Sequence, residues 1–376
     1  MRIYKRFLFG FLITLMPMSG WSQKLTLGSC ITKDKGQYSG EMLGGKAHGK
    51  GKTVWDNGNS YEGEYEKGKR NGYGVFTFFD GERYEGSWME DQQHGFGTYY
   101  YSDNNKYVGL WYRDYQQGHG IMYYYNGDVY DGNWYQDDRQ GKGKYTYNNG
   151  AWYEGEWKKN MKNGKGHFDW GDGTWYDGQW VENERSGYGE NHYDTGDVYK
   201  GYWRNDLPNG KGIYTFQNGD VYEGNYVDGV RTGNNCIFKY ANGDVYTGDF
   251  LEGDKSGKGV FKWANGDVYS GYWAGDVQDG EGVLTKKNGD KYEGRFVKGM
   301  LNDNDVRIHY ADGRRFRGAY KNGKRNGPAI EEDKDGNRFK GNYVDDKRDG
   351  EFTEYDRNGK VTAQGVYRRG RRVVNK

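Results

Sequence analysis

The sequence predicts an all-β fold: an elongated, twisted, single-layer antiparallel sheet built in solenoid fashion from tandem β-hairpins. Three observations predict it. A Tyr-x-Gly-x-aromatic motif recurs at a spacing of 23 residues, rings occupy every second position between the motifs, and Asn-Gly or Asp-Gly punctuates each unit.

The motif stands at Tyr61/Gly63/Tyr65, Tyr84/Gly86/Trp88, Tyr107/Gly109/Trp111, Tyr130/Gly132/Trp134 and Tyr153/Gly155/Trp157. It continues through Tyr176, Tyr199, Tyr222, Tyr246, Tyr269 and Tyr292, then weakens at Phe316 and Phe339. In a strand, alternation puts Tyr, Gly and Trp on one face, and the Gly leaves a gap across which a ring can lie. Between motifs runs a second strand pattern, as in Gly74-Val75-Phe76-Thr77-Phe78 and Gly143-Lys144-Tyr145-Thr146-Tyr147. Asn57-Gly58, Asp80-Gly81 and Asn126-Gly127 join the two strands, a turn signal that rests on both residues tolerating positive φ. A lone hairpin is marginal in water, so the units must add edge to edge. About thirty strands at ~4.8 Å would form a sheet on the order of 140 Å long.

Composition agrees with a fold held by rings. Of 376 residues, 65 are Gly, 38 Tyr and 13 Trp, and aromatics make up 18% against 34% for all hydrophobic types. Each ring buries roughly 150–250 Å², enough to stabilise a chain poor in aliphatics. The net charge of +1 gives no electrostatic footprint for nucleic acid.

Residues 1–22 read as a signal peptide. Arg2, Lys5 and Arg6 precede the apolar run Phe7 to Met18, and Gly20-Trp21-Ser22 supplies a small-x-small cleavage site. The run is too short to span a membrane. The expectation is an exported chain, whether periplasmic, associated with the cell envelope or extracellular. Cys30 and Cys236 are too few for a disulfide framework. Leu27-Gly28-Ser29-Cys30 resembles a lipoprotein acylation box, but Gln23, Lys24 and Thr26 separate it from the apolar run and Gly28 falls in register with Gly51. Lipidation of Cys30 is therefore the less favoured reading.

The units resemble MORN repeats, on the run Tyr61-Glu62-Gly63-Glu64-Tyr65-Glu66-Lys67-Gly68-Lys69-Arg70-Asn71-Gly72-Tyr73-Gly74 and its recurrence about fifteen times. On this reading residues 23–311 are tandem MORN repeats. Residues 312–376, with Asp335-Gly336 and Asn358-Gly359 and polar replacements for rings, are variant repeats forming a C-terminal cap with a basic tail. The resemblance implies an elongated scaffold for protein partners. The family name, membrane occupation and recognition nexus, implies association with phospholipid headgroups as an alternative. Some MORN arrays precede a SET-type methyltransferase or a phosphatidylinositol phosphate kinase, and neither pattern is present.

Tests for chemistry give no enzyme, cofactor or metal. The nearest approach to a phosphate loop, Gly44 to Gly49-Lys50, has Gly51 where Ser or Thr must reach Mg²⁺. His48, His94, His119, His167, His192 and His309 show no metal-ligand spacing. Asp128, Asp197, Asp220, Asp244 and Asp267 recur one per repeat, as turn chemistry rather than as a catalytic pair. What remains to act is a stripe of rings: Tyr84, Trp88, Tyr107, Trp111, Tyr130, Trp134, Tyr153, Trp157, Tyr176, Trp180, Tyr199 and Trp203. One sheet has no second layer to cover them, so the stripe is expected to form a binding face. A protein partner is the first expectation, with a glycan or phospholipid as alternatives and edge-to-edge self-association also open.

Overall fold

The computed structural model describes residues 24–373. The segment read as a signal peptide lies outside them. The described residues hold 33 β-strands and no helix. The chain divides into two units, one ending at Asp138 and the other beginning at Arg139. Within each unit, strands that follow one another in sequence pair antiparallel.

A repeat consists of a seven-residue strand and a nine-residue strand, as in Ser60–Glu66 and Lys69–Thr77. The glycines explain both. Gly63 of the first strand faces Gly74 of the second, and a Cβ on Gly74 would lie 2.2 Å from the Tyr61 hydroxyl. The Tyr61 ring therefore lies flat over the glycine pair, where any side chain would displace it. Its hydroxyl donates to the Glu64 carbonyl at 3.0 Å. Tyr84 does the same across Gly86 and Gly97, donating to the Ser87 carbonyl at 2.9 Å.

The first glycine of each Gly-x-Gly has a different task. Gly72 has φ of +97°, and the register shifts between Gly63 and Tyr65 opposite it. This is a bulge, which bends the strand and needs the left-handed conformation that Gly adopts at no steric cost. Both glycines of the pair thus sit inside a strand, Lys69–Thr77.

The turns also differ from expectation. At Asn57-Gly58 only Gly58 has positive φ. The Asn57 side chain accepts from the Asn59 N–H at 3.1 Å, an Asx turn, and the same contact recurs from Asp80 to Glu82. The two-residue turn in which both residues have positive φ lies at the other end of the repeat, at Glu90-Asp91, Arg113-Asp114, Glu182-Asn183 and Asn205-Asp206. These connections match the right-handed twist of the flanking strands.

Two repeats show what the glycines protect. At Tyr292 the partner glycine is replaced by Val306, which is fully buried, and Tyr292 is only half-buried. The strand opposite breaks into Met300–Leu301 and Asp303–His309. At Phe316 the partner is Ala329, and the ring has no hydroxyl to place.

Candidate functional site

The twelve rings expected to form a binding face are the core. Tyr84, Tyr107, Tyr130, Tyr153, Tyr176 and Tyr199 have no exposed surface, and Trp88, Trp111, Trp134, Trp157, Trp180 and Trp203 are between 2% and 6% exposed. Tyr84 meets Trp88 edge-on at 5.2 Å and Trp111 at 5.4 Å, so rings of successive repeats interlock. Each indole N–H is spent inside the sheet, as Trp134 Nε1 donates to the Gly120 carbonyl at 3.1 Å and Trp180 Nε1 to Gly166 at 3.0 Å. The open face of the indole is closed by a cation: Arg70 lies 4.4 Å from Trp88, Lys162 4.0 Å from Trp180 and Arg185 4.3 Å from Trp203. Gln93 and Gln116, both buried, hold the equivalent positions in their repeats. A single layer covers its own rings because long basic side chains lie across them.

Burial pushes the hydroxyls of Tyr84, Tyr107, Tyr153, Tyr176 and Tyr199 well above the ordinary tyrosine range. Burial also lowers the Lys162 ammonium to about 8, with the Arg185 charge adding to the effect and Asp206 opposing it.

The aspartate row has a structural use. Asp197, Asp220, Asp244 and Asp267 accept the backbone N–H of Gln217, Ala241, Ala264 and Lys287 at 2.7, 2.8, 2.7 and 2.9 Å. Each carboxylate ties its own turn to the turn of the next repeat. Among the described residues no group of three or more His, Cys, Asp or Glu is placed to hold a metal ion. Cys30 lies in the strand Thr26–Ile31, with Gly28 opposite Gly40 and Cys30 opposite Tyr38. Both cysteines are free.

The surface open to a partner is the other face of the same strands. In the first unit Phe96 pairs across the ladder with Leu110, and Tyr112 pairs with Tyr115. These four side chains are 59%, 43%, 47% and 48% exposed. Leu110 and Tyr112 are two residues apart on one strand, so the four share a face. Arg113 lies 5.3 Å from the Tyr112 ring and His94 packs against it at 5.2 Å, its Nδ1 buried without a hydrogen bond. The sequence offered a partial signal for this patch, since Phe96 is the middle residue of Gly95-Phe96-Gly97, where Lys50, Lys142, Lys165, Lys211 and Lys258 stand in other repeats and rings recur only at Tyr73, His119 and Tyr188.

In the second unit the outer face carries a column of stacked rings. Trp152, His167, Trp175 and His192 stack at 4.9, 5.5 and 3.8 Å, and Lys144 closes the Trp152 end at 4.2 Å. The column leaves none of its inner ring faces open.

A family profile described as MORN repeat matches twelve segments, eleven of them consecutive over 38–291 and the twelfth at 316–338. No curated protein matches the chain. Among solved structures, the TCP10 domain of Danio rerio CPAP is 13% identical, with 66% of this chain and 99% of that one covered, at a TM-score of 0.25. The TCP domain of Drosophila melanogaster SAS-4 is 15% identical over 47% of this chain and 84% of that one, at 0.24. Virginiamycin B lyase from Staphylococcus aureus is 11% identical over 79% and 99%, at 0.13.

Proposed function

The chain belongs to the MORN repeat family, and from that premise we propose that it is an exported, non-catalytic scaffold that binds a protein partner through the outer face of its first unit. Repeats of this family point in general to binding or scaffolding. The observation that carries the finer reading is the patch of Phe96, Leu110, Tyr112 and Tyr115, beside Arg113. Tyr and Arg are the residue types that dominate interface energetics, because they combine large contact area with hydrogen-bonding ends. Export is read from Arg2, Lys5, Arg6 and the apolar run that follows them.

The test is affinity capture from an extract of the source organism, comparing the wild-type chain with a Phe96→Ser/Tyr112→Ser/Tyr115→Ser variant. The variant should lose a discrete set of proteins while keeping its far-UV CD spectrum. Retention of the same set by both chains would remove this reading. Mass spectrometry of chain expressed in the same organism reads its N-terminus, Gln23 for an exported chain and Met1 for a retained one.

A further inference from the structure

The repeat starting at Tyr222 is 24 residues long, one more than its neighbours in the second unit. The extra residue falls between Gly233 and Cys236, where the register shifts and Asn235 takes a φ of +56°. Asn234 and Asn235 stand exposed on the bulge. On the outer face they close one end of a cleft of about 430 Å³. Tyr188 and Tyr202, paired across the ladder and set edge to face at 5.6 Å, close the other end. Ile213 and Glu223 pair between them, with Lys211 opposite Asn225.

We propose that this cleft binds an uncharged sugar unit of an oligosaccharide. The volume lies within the range of small-ligand sites, roughly 300–1,000 Å³. Tyr188 and Tyr202 are 55% and 51% exposed, so a ring face is open to the C–H face of a pyranose. The side chains of Glu223, Asn225, Asn234 and Asn235 make no hydrogen bond to other described residues, whereas at the positions equivalent to Asn225 the carboxylates of Glu64 and Asp249 accept the N–H of Tyr73 and Lys258, and at those equivalent to Glu223 the carboxylates of Glu62 and Glu154 pair with Lys52 and Lys144. Each amide offers donors and an acceptor, and the carboxylate offers acceptors only, a set that matches adjacent hydroxyls rather than a phosphate. The cations do not alter this. Lys200 is held by Glu190 at 3.1 Å, and the other two charges that line the cleft, Lys211 and Glu223, are opposite in sign and sum to zero. The site lies wholly in the second unit and does not depend on the protein-binding reading of the first.

The full chain is screened against immobilised neutral and acidic oligosaccharides, and the best binder is then titrated by calorimetry. At least one neutral oligosaccharide should bind, and Tyr202→Ala and Asn234→Ala should each weaken it at least tenfold, while Tyr115→Ala leaves it unchanged. Deletion of Asn235 restores the 23-residue period and should abolish binding with the thermal midpoint held or raised. Absence of any sugar binding overturns the proposal. So does wild-type affinity in a folded Tyr202→Ala chain, or binding of peptides alone from a peptide array.

Discussion

Lys162 shows how residue-scale forces decide this fold. Its ammonium sits 4.0 Å from Trp180 and 4.5 Å from Phe168, where it covers rings at the cost of its own hydration. Its folded pKa of about 8 lies below the ordinary 10.5, so between those values the unfolded chain holds a proton that the folded chain has released. Stability must therefore rise with pH across that window, and the penalty is complete below pH 8. At ~1.4 kcal/mol per unit, discounted for partial exposure, the effect is about 1–2 kcal/mol. Replacement by Met keeps the apolar stem without the charge. Urea unfolding of wild type and Lys162→Met at several pH values should give curves that differ most near pH 7 and converge towards pH 10.5. Parallel curves would contradict the account. The cation over the indole is also the part of the candidate site that could not be read beforehand. Lys162 and Arg185 lie 18 residues before the indoles they cover, and on a linear sequence they look like solvated charges. The stripe of twelve rings was legible; its burial was not, because covering a single layer depends on where long side chains lie across neighbouring strands.

At the scale of strands and turns, legibility followed chemistry. The strands announced themselves through alternation, which has no competing explanation in a chain so rich in rings. Asn-Gly and Asp-Gly marked a real connection, but through the side-chain Asx contact rather than paired positive φ. The tighter turn was missed since pairs such as Glu182-Asn183 resemble ordinary charged surface. Its second residue does two jobs. Asn183 has φ of +75°, and its Oδ1 accepts the Lys162 N–H of the preceding repeat at 2.8 Å, beside the bond from the Asn183 N–H to the Lys162 carbonyl at 3.0 Å. Replacement by Gly keeps the backbone and loses one hydrogen bond, a cost of about 1 kcal/mol. Replacement by Val loses the bond and forces a β-branched residue into left-handed space, at about 2–3 kcal/mol in all. Hydrogen exchange at the Lys162 amide should rise in that order, and equal protection in the two variants would show that the turn conformation is not what Asn183 supplies.

At the scale of whole units, the strand pairing inside each joins a repeat to its neighbours, so stability should accumulate repeat by repeat within a unit. The sequence around two motif tyrosines makes this testable without a foreign junction. Asn242-Gly243-Asp244-Val245-Tyr246 and Asn265-Gly266-Asp267-Val268-Tyr269 are identical, so removing 246–268 rejoins the chain in the same words. Asp244 would then accept the Lys287 N–H in place of the Ala264 N–H, and the ring of Tyr269 would meet the same glycine geometry as before. Removing only 246–257 takes most of the strand Val245–Leu251, the turn after it and the first four residues of the strand Asp254–Lys262, so one strand fewer remains, which reverses every later strand and turns its rings to the opposite side of the sheet. The full-repeat deletion should keep the CD signal per residue and a cooperative melt within a few degrees of wild type. The single-strand deletion, although it removes fewer residues, should split the melt into two transitions and expose tyrosines to solvent. If the two deletions unfold alike, the ring face is not the continuous element that holds successive repeats together.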